Sequence, residues 1–200
     1  FMNSLFQQLF MIPTFRHGIV SARLGSDVAW SPQRVLFDQF QRIFCALAGT
    51  TRSWVETLPF CESCPGTDGG TLNVRQQQDV HEFLAGLADK LEPQFAHTQW
   101  PTLFKDVFGG KLCDQLISDD GMMRREREES FMMLSVDVRG RQTLHDSLQA
   151  YVEGEMLVGD NQYLWEELGQ RRDTLKRCCI AELPRVLIVH LKRFEFDLNT

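Results

Sequence analysis

The sequence predicts an α+β protein, a helical lobe followed by a mostly antiparallel sheet lobe. Three observations carry that prediction. Apolar residues recur at helical spacing through the first half of the chain. From about Gly109 the period shortens to the alternation typical of strands. The balance of 43% hydrophobic and 24% charged residues over 200 positions is that of a globular chain able to bury a sizeable core. At roughly 150 residues per domain this is one large domain or two small ones. The change of period puts the boundary near residues 98–108, with a helical lobe over about 1–100 and a sheet lobe over about 101–200.

The first helix is expected to start at a cap in Asn3-Ser4, to carry Leu5, Phe6, Leu9 and Phe10 on one stripe, and to end near Pro13. Ser31-Pro32 opens a second helix, with Leu36, Phe40, Ile43, Phe44 and Leu47 at helical spacing and Gly49 as its stop. Residues 50–73 hold two proline turns and Asp68-Gly69-Gly70, the composition of an irregular connection. A third helix is expected from about Gln76 to Glu92, with Val80, Phe83, Leu84, Leu87 and Leu91 inward and Pro93 ending it. Beyond Gly109-Gly110, residues 111–117 form a strand, and the charge run from Arg124 to Glu129 is a strand edge or a loop. Leu134, Val136 and Val138 alternate with polar neighbours as a half-buried strand. Thr143 to Val152 is a short helix with Leu144, Leu148 and Tyr151 inward; residues 175–183 and 186–196 are strands joined at Pro184.

Composition limits the function. A net charge of −6 argues against a general nucleic-acid binder, which must neutralise phosphates. The apolar runs, such as Val186 to Val189, are far short of the ~18 residues of a membrane span, so no membrane partner is expected. Six cysteines are too few for a disulfide scaffold, and adjacent Cys178 and Cys179 rarely close on each other. The expected compartment is therefore reducing and intracellular, cytoplasmic or nuclear. Phe1 at the start and an uncapped Phe194 to Thr200 at the end read as an internal piece of a longer chain.

Cys61-Glu-Ser-Cys64 has the form of half a zinc site. A second pair is lacking, none of the five histidines has metal spacing to another, and two thiols in a loop is the plainer reading. A Cys–His nucleophile pair has little support. Cys45 lies late in a helix near its apolar stripe, Cys178 and Cys179 lie mid-strand, and His190 interrupts a buried run. Gln77, Asp79 and Glu82 cluster around the first turn of the third helix. An acidic group there suits the helix dipole, so capping and ligand binding both remain open from composition alone.

Four blocks taken together resemble the catalytic domain of the ubiquitin-specific proteases, the papain-like deubiquitinases. Phe1-Met-Asn-Ser-Leu-Phe-Gln-Gln-Leu-Phe10 resembles the stretch after the nucleophile in the family's first box. Gln77-Gln-Asp-Val-His-Glu-Phe83 resembles its Gln-Gln-Asp-Ala-His-Glu-Phe. Glu155-Met-Leu-Val-Gly-Asp-Asn-Gln-Tyr163 resembles its Leu-x-Gly-Asp-Asn-x-Tyr, and Leu183 to Phe194 resembles its Leu-Pro-x-x-Leu-x-x-x-Leu-Lys-Arg-Phe. Order and spacing match across nearly the whole chain. Met11-Ile12-Pro13 and Asn73-Val74-Arg75 are most similar to the very large members.

The resemblance implies a papain-like fold, with a helical thumb followed by a palm and fingers of antiparallel sheet. It implies a nucleophilic cysteine just before the position of Phe1 and a general-base histidine beyond Thr200, so that no catalytic residue lies in the chain. It implies that Asp79 and Glu82 pair with the two arginines of the ubiquitin tail and that Gln77 binds the tail backbone. The family's fingers often carry a zinc ribbon. Its ligand positions fall here on Ser118, Gly121, Trp165 and Leu168, with Cys113 out of register, so neither metal nor cofactor is expected. Trp165 and Leu168 are expected to supply apolar packing instead. The activity implied is hydrolysis of the bond after the ubiquitin C-terminal glycine; a catalytically inactive ubiquitin-binding relative, or an interaction domain alike only in architecture, are the alternatives.

Overall fold

A computed structural model describes residues 1–25, 29–66 and 70–193. The chain divides into two compact units, Phe1–Val107 and Phe108–Thr200.

The first unit is helical. Helix α1 (Met2–Phe10) buries Met2, Phe6 and Leu9 at the i, i+4, i+7 spacing of one face. That stripe carries the helix upstream of the expected cap. Phe1 is the N-cap residue, with no side-chain cap bond, and Asn3 and Ser4 are exposed residues of the first turn. α1 ends at Phe10, near Pro13 as expected, and Pro13 also opens a further helix, because its fixed φ and missing N–H suit a first-turn position; α2 (Pro13–Ser21) buries Phe15 and Ile19. In α3 (Pro32–Gly49) the Ser31 hydroxyl accepts the Arg34 N–H at 3.1 Å, and Leu36, Phe37, Phe40, Ile43 and Phe44 face inward. The 50–73 connection contains a short helix, α4 (Leu58–Ser63), nucleated at Pro59 and buried through Phe60 and Cys61.

The third expected helix is α5 (Val80–Phe95), capped by Asp79. It starts four residues later than the Gln76 expectation, because the Asp79 side chain takes the first free amides; Val80 is 42% exposed rather than inward. Pro93 lies inside its last turn. Burial of Phe95, whose ring meets Phe37 at 4.9 Å and Phe104 at 5.9 Å, holds the helix past the proline. A further helix, α6 (Leu103–Phe108), ends this half and has no clear start signal in sequence. Aromatic rings dominate the core. Phe6 meets Phe40 at 5.3 Å and Phe60 at 5.0 Å edge-on, the favoured packing of ring quadrupoles.

The second unit contains an antiparallel sheet in the order β2-β1-β7-β4, formed by β1 (Gly110–Ser118), β2 (Arg124–Phe131), β4 (Glu155–Leu157) and β7 (Thr174–Glu182). The charge run is thus the edge strand β2, where charged side chains discourage pairing with another chain. β3 (Met133–Asp137) and β8 (Ile188–Lys192) pair in parallel, the exception in a lobe expected to be mostly antiparallel. Residues 194–196 of the expected last strand lie outside the described residues. β5 (Tyr163–Trp165) and β6 (Gln170–Arg172) form a small hairpin too short to be seen as alternation. α7 (Leu144–Glu153) starts at a capping box in which Thr143 and Asp146 satisfy each other's backbone amides. That start turns Leu144 outward, 48% exposed, and buries Ser147, contrary to the inward position expected for Leu144.

Candidate functional site

The cap of α5 borders a groove of the first unit. Asp79 Oδ1 accepts the backbone N–H of His81 at 2.7 Å and of Glu82 at 3.2 Å. Glu82, one turn in, is exposed, and its carboxylate has no hydrogen-bond or ion-pair partner among the described residues. Gln77 is exposed in the extended segment before the cap, outside the helix. All three side chains line one groove of about 450 Å³, with Gln76, Phe83 and Lys90.

The far wall of that groove is the loop after α4. Leu72 N–H binds the Cys64 carbonyl at 2.9 Å, Pro65 and Thr71 form an isolated antiparallel bridge, and Lys90 Nζ reaches the Pro65 carbonyl at 3.4 Å. Sequence reasoning did not connect this loop to the helix: the bonds that shape the loop are backbone ones across a segment with no periodicity, and the bond to α5 comes from the end of one long side chain, Lys90. The two thiols of Cys61-Glu-Ser-Cys64 are buried, and burial pushes both up from the ordinary thiol range. Cys61 stands in α4 and Cys64 caps it, rather than both lying in a loop as expected; Cys61 Sγ lies 3.9 Å from Met2 Sδ and packs α4 against α1.

A second pocket, of about 220 Å³, adjoins the groove at the start of α1. Phe1, Met2 and Asn3 line it, and it shares Leu72, Gln76 and Gln77 with the groove. The edge-on contact of Phe1 with Phe83, 5.2 Å between centroids, fixes the N-terminus of α1 beside the first turns of α5. The groove at the acidic end of α5 and the pocket at the first turn of α1 are thus neighbours that share one wall, Leu72, Gln76 and Gln77.

The remaining thiols and His190 do not assemble a nucleophile. Cys45 is exposed on α3 rather than on its apolar stripe. Cys113 faces Cys179 across β1 and β7; burial pushes the Cys178 thiol up to about 11, the wrong direction for a nucleophile. His190 Nδ1 lies 3.2 Å from the Ser135 hydroxyl on the neighbouring strand.

The positions matched to a zinc ribbon do not fit a metal. Ser118 Oγ lies 2.6 Å from Asp120 Oδ1 and accepts the Met123 N–H at 2.9 Å, while Gly121, at φ +70°, turns the β1–β2 hairpin. Asp120 is held down at about 2 by the Ser118 hydroxyl, the Met122 N–H and the Arg172 guanidinium. Trp165 is fully buried, its indole N–H donating to Thr174 Oγ1 at 3.0 Å, whereas Leu168 is 43% exposed and so does not pack as expected. Arg125 spans this region, donating to Tyr163 Oη at 2.9 Å and to Glu167 at 2.6 Å. Among the described residues no group of three or more His, Cys, Asp and Glu side chains is placed to hold a metal ion. None of the helices described is long and apolar enough to cross a membrane.

This mixed fold matches a known class. A family model described as ubiquitin carboxyl-terminal hydrolase matches residues 1–200, and the chain belongs to that family. It is 36% identical over 197 residues to human ubiquitin carboxyl-terminal hydrolase 24, covering 98% of this chain and 7% of that protein. To mouse ubiquitin carboxyl-terminal hydrolase 9X it is 34% identical over 238 residues, 98% of this chain and 9% of that protein. The fruit-fly (Drosophila melanogaster) ubiquitin carboxyl-terminal hydrolase 47 is 30% identical over 206 residues, 100% of this chain and 13% of that protein. The chain thus spans a small fraction of the length of these relatives. Sequence similarity at this level over the full chain replaces the reading of a merely architectural likeness.

Proposed function

We propose that the chain is the ubiquitin-tail-binding part of a cysteine-type deubiquitinase, and that the whole protein hydrolyses the bond after the ubiquitin C-terminal glycine. The observation that carries this is that the groove lined by Gln77, Asp79 and Glu82 shares Leu72, Gln76 and Gln77 with the pocket at the first turn of α1. In this reading Asp79 and Glu82 receive the two tail arginines through charge-assisted hydrogen bonds. Gln77 aligns the tail backbone, and the glycine carbonyl arrives at the start of α1. A thiolate just before Phe1 would be stabilised there by the helix dipole. The base takes the thiol's proton, the thiolate attacks the carbonyl, and the amine leaves with that proton as the thioester forms; water, giving a proton to the base, then hydrolyses the thioester and frees the thiolate. Neither thiolate nor base belongs to residues 1–200 in this reading. Ubiquitin and ubiquitinated proteins are the partners, in the cytoplasm or nucleus.

A fluorogenic ubiquitin C-terminal amide tests it. The whole catalytic domain is expected to turn it over with sensitivity to iodoacetamide, and residues 1–200 alone are expected to be inert. Turnover by residues 1–200 that disappears on replacing one of their own six cysteines would place the nucleophile elsewhere. Binding of ubiquitin without turnover by the whole domain would favour the inactive relative.

A further inference from the structure

The second half of α3 and the segment leading from it into α4 enclose a pocket of about 200 Å³ that shares no lining residue with the tail groove. Its floor includes Ile43 and Phe60, 4% and 1% exposed, and Trp54 stands beside them 60% exposed. Arg42 and Arg52 also line it, both exposed, and neither guanidinium has a hydrogen-bond or ion-pair partner among the described residues. The lining's carboxylate, Glu56, accepts the Leu58 N–H at 3.2 Å. Two free guanidinium groups beside an apolar hollow stand out in a chain of net charge −6.

Size and charge together select the occupant. Pockets for drug-sized molecules run to ~300–1,000 Å³, so this one suits a single large side chain. Exposed tryptophan and arginine around a desolvated hollow are the residue types that dominate binding energy at protein interfaces. We propose that this pocket docks a partner protein through a short acidic peptide, one leucine, phenylalanine or tryptophan seated against Trp54 and Phe60 and flanking carboxylates paired with Arg42 and Arg52. The inference is independent of the tail-groove reading.

Panning a displayed library of random ten-residue peptides on the 200-residue chain tests it, with the Arg42→Glu/Arg52→Glu double variant panned in parallel. The expected consensus is one large apolar residue flanked by Asp or Glu, enriched on the unaltered chain only. A fluorescein-labelled synthetic peptide of that consensus is then titrated by fluorescence anisotropy. Charge reversal, Trp54→Ala, and alanine at the peptide's apolar position should each raise Kd by about tenfold or more. All three protein side chains are exposed, so melting temperatures should not move; if the reversal lowers them, Arg42→Gln/Arg52→Gln carries the test. Absence of an acidic-apolar consensus, or affinity indifferent to Trp54→Ala, overturns the proposal. Tighter arginine-dependent binding of a single-stranded oligonucleotide or of phosphatidylserine vesicles overturns it as well.

Discussion

Replacing Asp79 by asparagine separates two roles that one carboxylate could fill. Its Oδ1 accepts the N–H groups of His81 and Glu82, so removing the side chain with Asp79→Ala leaves two helical amides without that acceptor. Loss of such a cap costs about 1 kcal/mol, with a range of ~0.5–2. For a chain of this length that lowers Tm by about 2–4 °C. Asparagine and serine cap as well as aspartate but carry no charge, so Asp79→Asn should melt within about 1 °C of the parent. Pairing with a tail arginine needs the charge. A hydrogen bond to a charged group contributes ~1.5–3 kcal/mol, so Asp79→Asn in the whole catalytic domain should lose roughly ten- to a hundredfold in kcat/KM. Glu82→Ala should lose a similar factor with at most a small change in melting, because its carboxylate has no hydrogen-bond or ion-pair partner among the described residues and only the weak dipole effect of a first-turn acid is lost. Thermal denaturation followed by circular dichroism and turnover of a ubiquitin C-terminal fluorogenic substrate measure the two quantities. If Asp79→Asn keeps kcat/KM within twofold while Asp79→Ala melts early, Asp79 is a cap and nothing more, and the tail-binding assignment fails at that residue.

Three further outcomes follow from the second unit. Elemental analysis should find no stoichiometric zinc, and a chelator should leave Tm unchanged, since Ser118 and Trp165 are committed to hydrogen bonds within the fold. Asp120 is depressed to about 2 in the folded chain from an ordinary value near 4, so its contribution to the hairpin is present above about 4 and is lost as pH falls towards 2; protection of the Met122 and Met123 amides, relative to the intrinsic exchange rate at each pH, should fall across that window and stay constant above it. Gly154→Ala should destabilise by more than ~1 kcal/mol in chemical denaturation, because φ is +81° and an added Cβ would lie 2.7 Å from the Lys176 carbonyl oxygen.

Where a single element carried its own signal, sequence reading reached the residue. Ser31-Pro32 and Gly49 bound α3, and Thr143 opens α7. Errors arose where tertiary packing outweighed local preference. Phe95 held α5 beyond Pro93, and Met2 drew α1 past its polar residues. The parallel pairing of β3 with β8 was hidden because alternation reports burial of a face, not the direction of a partner. At the candidate site, the motif placed Asp79 and Glu82 on one helix turn, and the structure gathers them with Gln77 in one groove. The loop that walls the groove was invisible, as the bonds that shape it are made by backbone groups that every residue carries and its bond to α5 by a single lysine.

The β3–β8 pair also sets a schedule for biosynthesis. Leu134 and Val136 on β3 are 1% and 0% exposed in the finished fold, yet their partners Val189 and Leu191 are made 55 residues later. At ~5–20 residues per second, a ribosome takes roughly 3–11 s to supply them. During that interval the nascent chain presents an apolar strand with an open edge, a template for mispairing with neighbouring chains on the same message. Translational pausing within residues 138–188 would lengthen the exposure, and a ribosome-associated chaperone would find its binding segment at β3.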